Sequence, residues 1–342
     1  MQSMAERKIR VKDRVLEILE THRGEDISGE FIAETLGVSR TAVWKAVKSL
    51  QEEGYAIGAG CNRGYCLAVS NDILSESAIR SYLEEPWKQL PIYVYDTVAS
   101  TNKTAKEMAL NDGVHGTVVI ANEQTDGKGR KNRSFYSPGD SGLYLSILLE
   151  ANEEIAKPAV CMTAACVAVC RAVEKIYGVR TEIKWINDLY LDGKKVCGIL
   201  TDGMINFETG RMEYVILGIG INCMRPTEGF PSELAETVSS LQNVTPSENT
   251  DVISRNALAA EIIEQVMKMA ECEISDKKAR EIYRKEYRER SCLPGKKVSI
   301  SDGKNVVYGT VLDIDEDGGM VTELEDGRVE VYRSPELTVR VI

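Results

Sequence analysis

Apolar positions in the first seventy residues recur at helical spacing. Ile9, Val15, Leu16, Ile18 and Leu19 form one stripe, which ends at His22-Arg23-Gly24, where glycine stops the helix. Ser28 caps a second, short helix running to Leu36, with Ala33 and Leu36 turned inward. Gly37-Val38-Ser39 makes a tight turn, and Ser39 caps a third helix over Arg40 to Glu53 whose Val43, Val47 and Leu50 face the first. Gly54 closes it. Tyr55-Ala56-Ile57 and Tyr65-Cys66-Leu67 read as two short strands around a glycine-rich turn, Gly58 to Gly64. Helix, helix, turn, helix and hairpin make a winged helix-turn-helix over 1–70, a unit that lays its third helix in the major groove of DNA. A small helical module used for protein contact is the alternative.

Asn71, Asp72, Ser75, Glu76 and Ser77 open a capped linker helix over 71–90. Beyond it, apolar runs at Ile92-Val94, Thr117-Ala121, Leu143-Leu149, Glu182-Trp185, Val196-Thr201 and Tyr214-Gly220 alternate with helical stretches at 101–110, 158–177 and 254–272. That alternation predicts an α/β domain on a mixed sheet, 91–293. Residues 294–342 hold five short strands, Lys296-Ser301, Val306-Ile314, Gly319-Leu324, Val329-Tyr332 and Leu337-Val341, with Asp-Gly turns at 302–303, 317–318 and 326–327. They predict a small β-barrel and complete a multidomain α+β chain.

The length, 342 residues, agrees with several cores, and 43% apolar with 28% charged residues excludes a fibrous or disordered chain. No apolar run reaches membrane-spanning length and the first residues lack a signal-peptide core, so no membrane partner and a cytoplasmic location are expected. Nine cysteines, an odd number with no CxxC pair, read as reduced thiols, and those at 161, 166 and 170 as helix core. Two histidines, His22 and His115, are too few for a histidine-rich zinc site or a histidine-based acyl-transfer triad. The net charge of −11 speaks against nucleic acid until it is divided: residues 1–70 carry ten bases and ten acids, and Gly37 to Gln51 contains no acid at all. Ser39, Arg40, Thr41, Trp44, Lys45 and Lys48 are therefore the candidate DNA-contacting residues. Trp44 either meets DNA or packs beneath the wing.

The most unusual chemistry lies at Gln124-Thr125-Asp126-Gly127-Lys128-Gly129-Arg130-Lys131-Asn132-Arg133. Two glycines let backbone approach a ligand, and the cations cradle a polyanion such as a nucleotide phosphate. The segment is neither a Walker A loop nor a dinucleotide fingerprint. Lys184-Trp185-Ile186-Asn187-Asp188 ends an apolar strand, and Lys194-Lys195 follows the Asp192-Gly193 turn, so lysines at both ends of one hairpin place charge near a single spot. Asn187 and Asp188 suit a nucleotide or Mg²⁺. Gly218-Ile219-Gly220-Ile221-Asn222 is a strand end suited either to a flat ligand or simply to close packing.

In this order the segments resemble the biotin protein ligase family, and specifically its bifunctional branch that doubles as the biotin operon repressor. The resemblance spans essentially the whole chain. It rests on Ser100-Thr101-Asn102, Gln124, Gly127 to Arg133, Lys184 to Asp188, Lys195 with Gly198-Ile199-Leu200, and Gly218 to Asn222. It implies a biotin–[acetyl-CoA-carboxylase] ligase: biotin is adenylated by ATP with Mg²⁺ to biotinoyl-5′-AMP, then passed to a lysine of a biotin carboxyl carrier protein. It implies equally that the adenylate serves as corepressor for a homodimer on operator DNA, and that the C-terminal barrel is SH3-like. The implied catalytic residues are Lys195 and Arg130. Ser100, Thr101, Asn102, Gln124, Gly127, Lys128, Gly129, Arg130, Lys195 and Gly198 would hold biotin; Arg130, Arg133, Phe135, Lys184, Asn187, Asp188 and Asn222 would hold ATP; Asp188 would face the metal. Lys128 stands where many members have arginine, and Phe135 where tryptophan is frequent. A ligase whose helical head serves stability alone, and a lipoate-type ligase on the same scaffold, are the competing readings.

Overall fold

The computed structural model describes residues 10–60, 63–111, 113–153, 155–206, 208–244, 254–273, 275–315, 317–334 and 336–342. Ile9, the first residue of the expected apolar stripe, lies outside them, and so does part of the wing turn. The chain divides into two units, Met1–Lys88 with Ser247–Glu261, and Gln89–Pro246 with Ile262–Ile342.

The first unit opens with helices α1 (Val11–Thr21), α2 (Gly29–Leu36) and α3 (Arg40–Glu52). The expected caps are in place: Ser28 Oγ accepts from Phe31 N at 3.0 Å and Ser39 Oγ from Ala42 N at 3.2 Å. Gly37 ends α2 in the left-handed region, φ 66°, which its lack of a side chain makes inexpensive. Val15, Leu16, Leu19, Ile32, Val43, Val47 and Leu50 form one apolar core. The hairpin, β1 (Ile57–Gly60) against β2 (Gly64–Leu67), completes a winged helix-turn-helix. Its first strand starts at Ile57 instead of Tyr55 and takes in Gly58, Ala59 and Gly60, because β2 supplies ladder partners for what the composition marks as turn. Gly64, at φ 94°, has no alternative, since a Cβ there would lie 2.1 Å from Ile27 O. The linker is helical only in α4 (Glu76–Tyr82), followed by a short 3-10 turn at Trp87–Gln89; Pro86 disfavours helix in the residue before it and removes a donor.

The second unit holds β3 (Ile92–Val98), α5 (Thr101–Leu110), β4 (Val118–Gln124), β5 (Gly142–Glu150), α6 (Pro158–Tyr177), β6 (Glu182–Lys184), β7 (Asp188–Leu191), β8 (Lys194–Ile205) and β9 (Met212–Asn222). The sheet order is β3-β4-β5-β9-β8-β7-β6, parallel only between β3 and β4, so the sheet is mixed as the pattern predicts. The expected single hairpin between Lys184 and Lys195 is two hairpins. Residues 188–191 form a separate strand, with Lys184 opposite Asp188 and Asp188 opposite Gly198. Asp192 and Gly193, at φ 49° and 75°, make the second turn. Cys161, Cys166 and Cys170 are buried on α6, as their reading as helix core requires, and burial pushes the Cys161 and Cys170 thiols up to about 12.

Helix α7 (Arg255–Lys268) straddles the two units and runs into a π turn at Met269–Glu273. Helix α8 (Lys277–Arg290) has no counterpart in the pattern-based expectations, because only Ala279, Ile282, Tyr283 and Tyr287 among its fourteen residues are apolar. The last strands, β10 (Lys297–Ser301), β11 (Val306–Ile314), β12 (Met320–Leu324), β13 (Val329–Tyr332) and β14 (Thr338–Val341), form an antiparallel sheet of order β13-β12-β11-β10-β14. Among the described residues the pairings leave β13 and β14 as its edges.

Within the first unit, Arg255 Nε lies 2.6 Å from Asp72 Oδ2, with both side chains almost fully buried. Burial pushes the Asp72 carboxyl up and Arg255 pulls it back. Arg255→Ala leaves that carboxylate uncompensated and is expected to destabilise the first unit by about 3–5 kcal/mol. Denaturant unfolding followed by tryptophan fluorescence in a Trp185→Phe background, where the remaining Trp44 and Trp87 both belong to the first unit, measures it; a loss below about 1 kcal/mol would mean that water replaces the guanidinium.

Candidate active site

One face of the central sheet carries a cavity of about 360 Å³. Its floor is a strip without side chains. Gly198 on β8 pairs with Gly220 on β9, and Gly218 lies two residues along the same strand. A Cβ on Gly218 would sit 2.1 Å from Asn102 Oδ1, and one on Gly220 would sit 2.6 Å from the Phe135 ring. Glycine here serves both readings of the Gly-x-Gly segment at once, since it admits neighbouring side chains and keeps the cavity open.

The uncharged end is built at the start of α5. Ser100, Thr101 and Asn102 are buried there. Gln124, at the end of β4, accepts from Thr101 N at 2.9 Å through Oε1 and donates from Nε2 to Ser137 Oγ at 2.9 Å. Asn102 Nδ2 donates to Asp202 at 2.7 Å, and Ser146 Oγ lies 2.6 Å from Asn102 Oδ1.

The charged end collects the hairpins and the basic loop. Lys195 Nζ is 2.7 Å from Asp188 Oδ1 and 5.8 Å from the centre of the Phe135 ring. Its backbone is held from both sides, N–H to Thr237 O and C=O to Ser239 N, each at 2.9 Å. Arg130 donates to Asn187 Oδ1 at 2.6 Å and to Leu337 O at 3.1 Å, and Arg133 to Thr338 Oγ1 at 3.2 Å, so the loop leans on β14 and the residue before it. Burial pulls Arg130 below the usual guanidinium range, with Asp188 opposing. Burial likewise lowers Lys184, whose Nζ is 3.3 Å from Tyr190 OH. Cations concentrated in a partly water-excluded space stabilise negative charge far better than cations in bulk solvent.

Of the site residues expected from sequence, Ser100, Thr101, Asn102, Gln124, Lys128, Gly129, Arg130, Arg133, Phe135, Lys184, Asn187, Asp188, Lys195, Gly198 and Asn222 line this cavity. Gly127 does not. It lies behind the wall, where a Cβ would meet Phe135 O at 2.5 Å, so it shapes the loop. Sequence reasoning missed Phe230, Leu234, Thr237 and Val238, as well as Leu337 to Arg340. The cue for Thr237 is the backbone pairing with Lys195, which no local pattern carries. No group of three or more His, Cys, Asp or Glu side chains fit to hold a metal occurs among the described residues. Asp188 alone fits a cation carried mainly by a ligand's phosphates, not a protein cage.

In the first unit, Ser39, Arg40, Thr41, Trp44, Lys45 and Lys48 all lie exposed on or beside α3. Trp44 is 52% exposed, with Lys48 Nζ 5.6 Å from the centre of its ring.

Residues 94–222 match the biotin/lipoate A/B protein ligase family and residues 12–66 an HTH domain. The bifunctional ligase/repressor BirA of Bacillus subtilis (strain 168) is 33% identical over 330 residues, covering 93% of this chain and 95% of that protein. BirA of Escherichia coli (strain K12) is 27% identical over 93% of this chain and 94% of its own length. Among solved structures, biotin protein ligase from Aquifex aeolicus in complex with biotin and ATP superposes with a TM-score of 0.58 at 25% identity, covering 74% of this chain and 99% of that one. No described helix is long and apolar enough to cross a membrane.

Because β9 lies inside the sheet, its backbone cannot yield to a new side chain at 218. Gly218→Ala is expected to expel the Asn102 carboxamide from its contacts at a cost of about 1–3 kcal/mol. Calorimetric unfolding of the second unit reads that cost, and a variant as stable as the parent would show that Asn102 moves freely.

Proposed function

The chain belongs to the biotin/lipoate A/B protein ligase family, in its bifunctional ligase/repressor branch, and we propose how its own residues carry out the two activities of that branch. The chain activates biotin with ATP as biotinoyl-5′-AMP, transfers biotin to a lysine of a biotin carboxyl carrier protein, and represses transcription in response to biotin. The observation that carries this reading is the union, in one cavity, of a neutral hydrogen-bonding end at Ser100, Thr101, Asn102 and Gln124 with a cationic end at Lys195, Arg130, Arg133 and Lys184. Biotin has that same division, a neutral cyclic urea at one end and a carboxylate at the other. A lipoate-type ligand offers the neutral end no donors.

A carboxylate is a poor electrophile. The biotin carboxylate oxygen attacks the α-phosphorus of ATP, the P–O bond to the β-phosphate breaks, and pyrophosphate leaves. Lys195 sits where both the carboxylate and the α-phosphate gather charge; its ion pair with Asp188 keeps Nζ poised over Gly198 until the ligands arrive. Arg130 and Arg133 neutralise phosphate oxygens, Lys184 adds a third cation, and Asn187 with Asn222 flanks the nucleotide beside Phe135. Mg²⁺, with Asp188 as its protein contact, would neutralise further phosphate charge. In the second half-reaction the acceptor lysine's amine attacks the acyl carbon and AMP departs. Neither step requires a histidine base. Lys128 and Gly129, in the loop that Gly127 shapes, cover biotin and exclude water from the mixed anhydride.

The domain limits we assign are 1–70 for the winged helix-turn-helix, 71–90 for the linker, 91–293 for the catalytic domain and 294–342 for the C-terminal domain. The sheet order of that last domain, with long β11 bulged between Val311 and Asp313, suits closure into an SH3-like barrel. One helical head with few phosphate contacts binds DNA weakly, so the repressing form is a homodimer on an inverted-repeat operator, with the adenylate as its signal.

Lys195→Ala is expected to fold normally and to slow biotin-dependent pyrophosphate release at least about a hundredfold; parental rates would remove Lys195 from the chemistry. The head is tested separately. Arg40→Ala or Lys45→Ala should weaken a mobility shift on the DNA upstream of the host's biotin genes while leaving adenylation intact. Retardation by the parent chain should strengthen when biotin and ATP are both present, and should fall with salt along a log–log line. No retardation with or without the ligands would leave the head a stability element.

A further inference from the structure

Two side chains outside the cavity decide which way the hydrogen bonds at its neutral end run. Ser146 on β5 is fully buried opposite Gly218, and Asp202 on β8 lies two residues from Leu200, which pairs with Gly218 from the other side. The Asn102 carboxamide drops between them into the space that Gly218 leaves. The Asp202 carboxylate can only accept, so Asn102 turns its Nδ2 toward Asp202, at 2.7 Å, and its Oδ1 toward Ser146, at 2.6 Å. Oδ1 can only accept as well, which commits the single hydroxyl proton of Ser146 to it. Ser146 Oγ is also 2.8 Å from Thr101 Oγ1, and with its own proton spent it can only accept there. Thr101 Oγ1 has two acceptors in reach, Ser146 Oγ at 2.8 Å and Gln124 Oε1 at 3.2 Å. Oε1 already takes the Thr101 N–H, and the shorter oxygen–oxygen contact needs a proton between its partners, so the Thr101 proton goes to Ser146 and the oxygen's lone pairs are left for the cavity.

The opposite wall is fixed the same way. Ser137 Oγ donates to Phe135 O at 3.0 Å, so it accepts from Gln124 Nε2, and Gln124 Oε1 faces Thr101. Two oxygens that line the cavity, Thr101 Oγ1 and Gln124 Oε1, are both held as acceptors.

We infer that Asp202 and Ser146 are positioning residues which fix Thr101 as a hydrogen-bond acceptor, so that the site selects a ring presenting N–H donors and discriminates against an isostere that lacks them. The inference rests on the assignment of biotin to this cavity. A buried acceptor facing another acceptor is desolvated without compensation, and sites of this kind reject the mismatched analogue strongly. Asp202→Asn removes the constraint: the new carboxamide can donate as well as accept, Asn102 can turn over, and the chain can run in either direction. Ser146→Ala cuts the chain next to Thr101 at nearly constant volume.

The experiment measures pyrophosphate release with biotin and with the two cyclic carbamate analogues in which a ring oxygen replaces one ureido N–H. The parent should prefer biotin by about a hundredfold or more in kcat/KM over at least one analogue. In Asp202→Asn and in Ser146→Ala, KM for biotin should rise about tenfold with kcat and the KM for ATP within about twofold of parental values, and the preference should shrink about tenfold. A merely structural role would lower rates on every ligand alike and leave the preference intact. If one variant loses its cooperative thermal transition, the other decides. A preference within about twofold of the parent's, or no preference in the parent, overturns the inference while the biotin assignment stands. A parent that releases no pyrophosphate with biotin overturns the assignment and the inference with it.

Discussion

A strip of absent side chains organises the second unit. Gly198, Gly218 and Gly220 lie on one face of the paired strands β8 and β9, and the antiparallel register sets Gly198 directly against Gly220. Any Cβ on Gly218 or Gly220 would collide with Asn102 or Phe135, so the two ends of the cavity depend on the same bare surface. The strip has a cost, because glycine in a strand loses more backbone freedom on folding and packs nothing. Interior flanking strands offset that cost, with Leu143, Leu145, Ile216, Ile219 and Ile221 buried around it.

The electrostatics follow from that geometry. Seven cationic side chains line the cavity against one carboxylate, Asp188, which pairs with Lys195, while Arg130 leans on the neutral acceptors of Asn187 and Leu337. Arg130 and Lys184 both line this cavity, and burial lowers both, with Asp188 opposing in each case. Such a site favours a polyanion and disfavours being empty. Its strength for phosphate chemistry comes from charge already in place, which is why a chain with only two histidines can run an acyl-activation reaction.

The head obeys a different logic. It is electrically neutral as a whole, and the acid-free stretch from Gly37 to Gln51 sets Arg40, Lys45 and Lys48 on the exposed face of α3, which concentrates positive charge there. The buried Asp72–Arg255 pair ties the start of the linker to the start of α7 within that unit.

Local pattern determined the elements whose signals are local. Serine caps at Ser28 and Ser39, the glycine stop at Gly37, the Asp192-Gly193 turn and the period-two strands are all set by neighbours a few residues apart, and most of the cavity's residues announced themselves as charged or glycine-rich clusters beside strand ends. Helix α8 was not legible, because its stability comes from two buried tyrosines and from ion pairs of Arg288 and Arg290 with distant acids, against a nearly all-polar sequence. Strand β7 was hidden inside what reads as one hairpin. Contacts across long stretches of chain were decided only by the sheet register: Asn102 with Asp202, Thr101 with Ser146, Lys195 with Thr237, and Arg130 with Leu337. A hydrogen bond's direction depends on which acceptor stands at the far end of its chain of partners, and only the folded sheet brings that acceptor, Asp202, to its place.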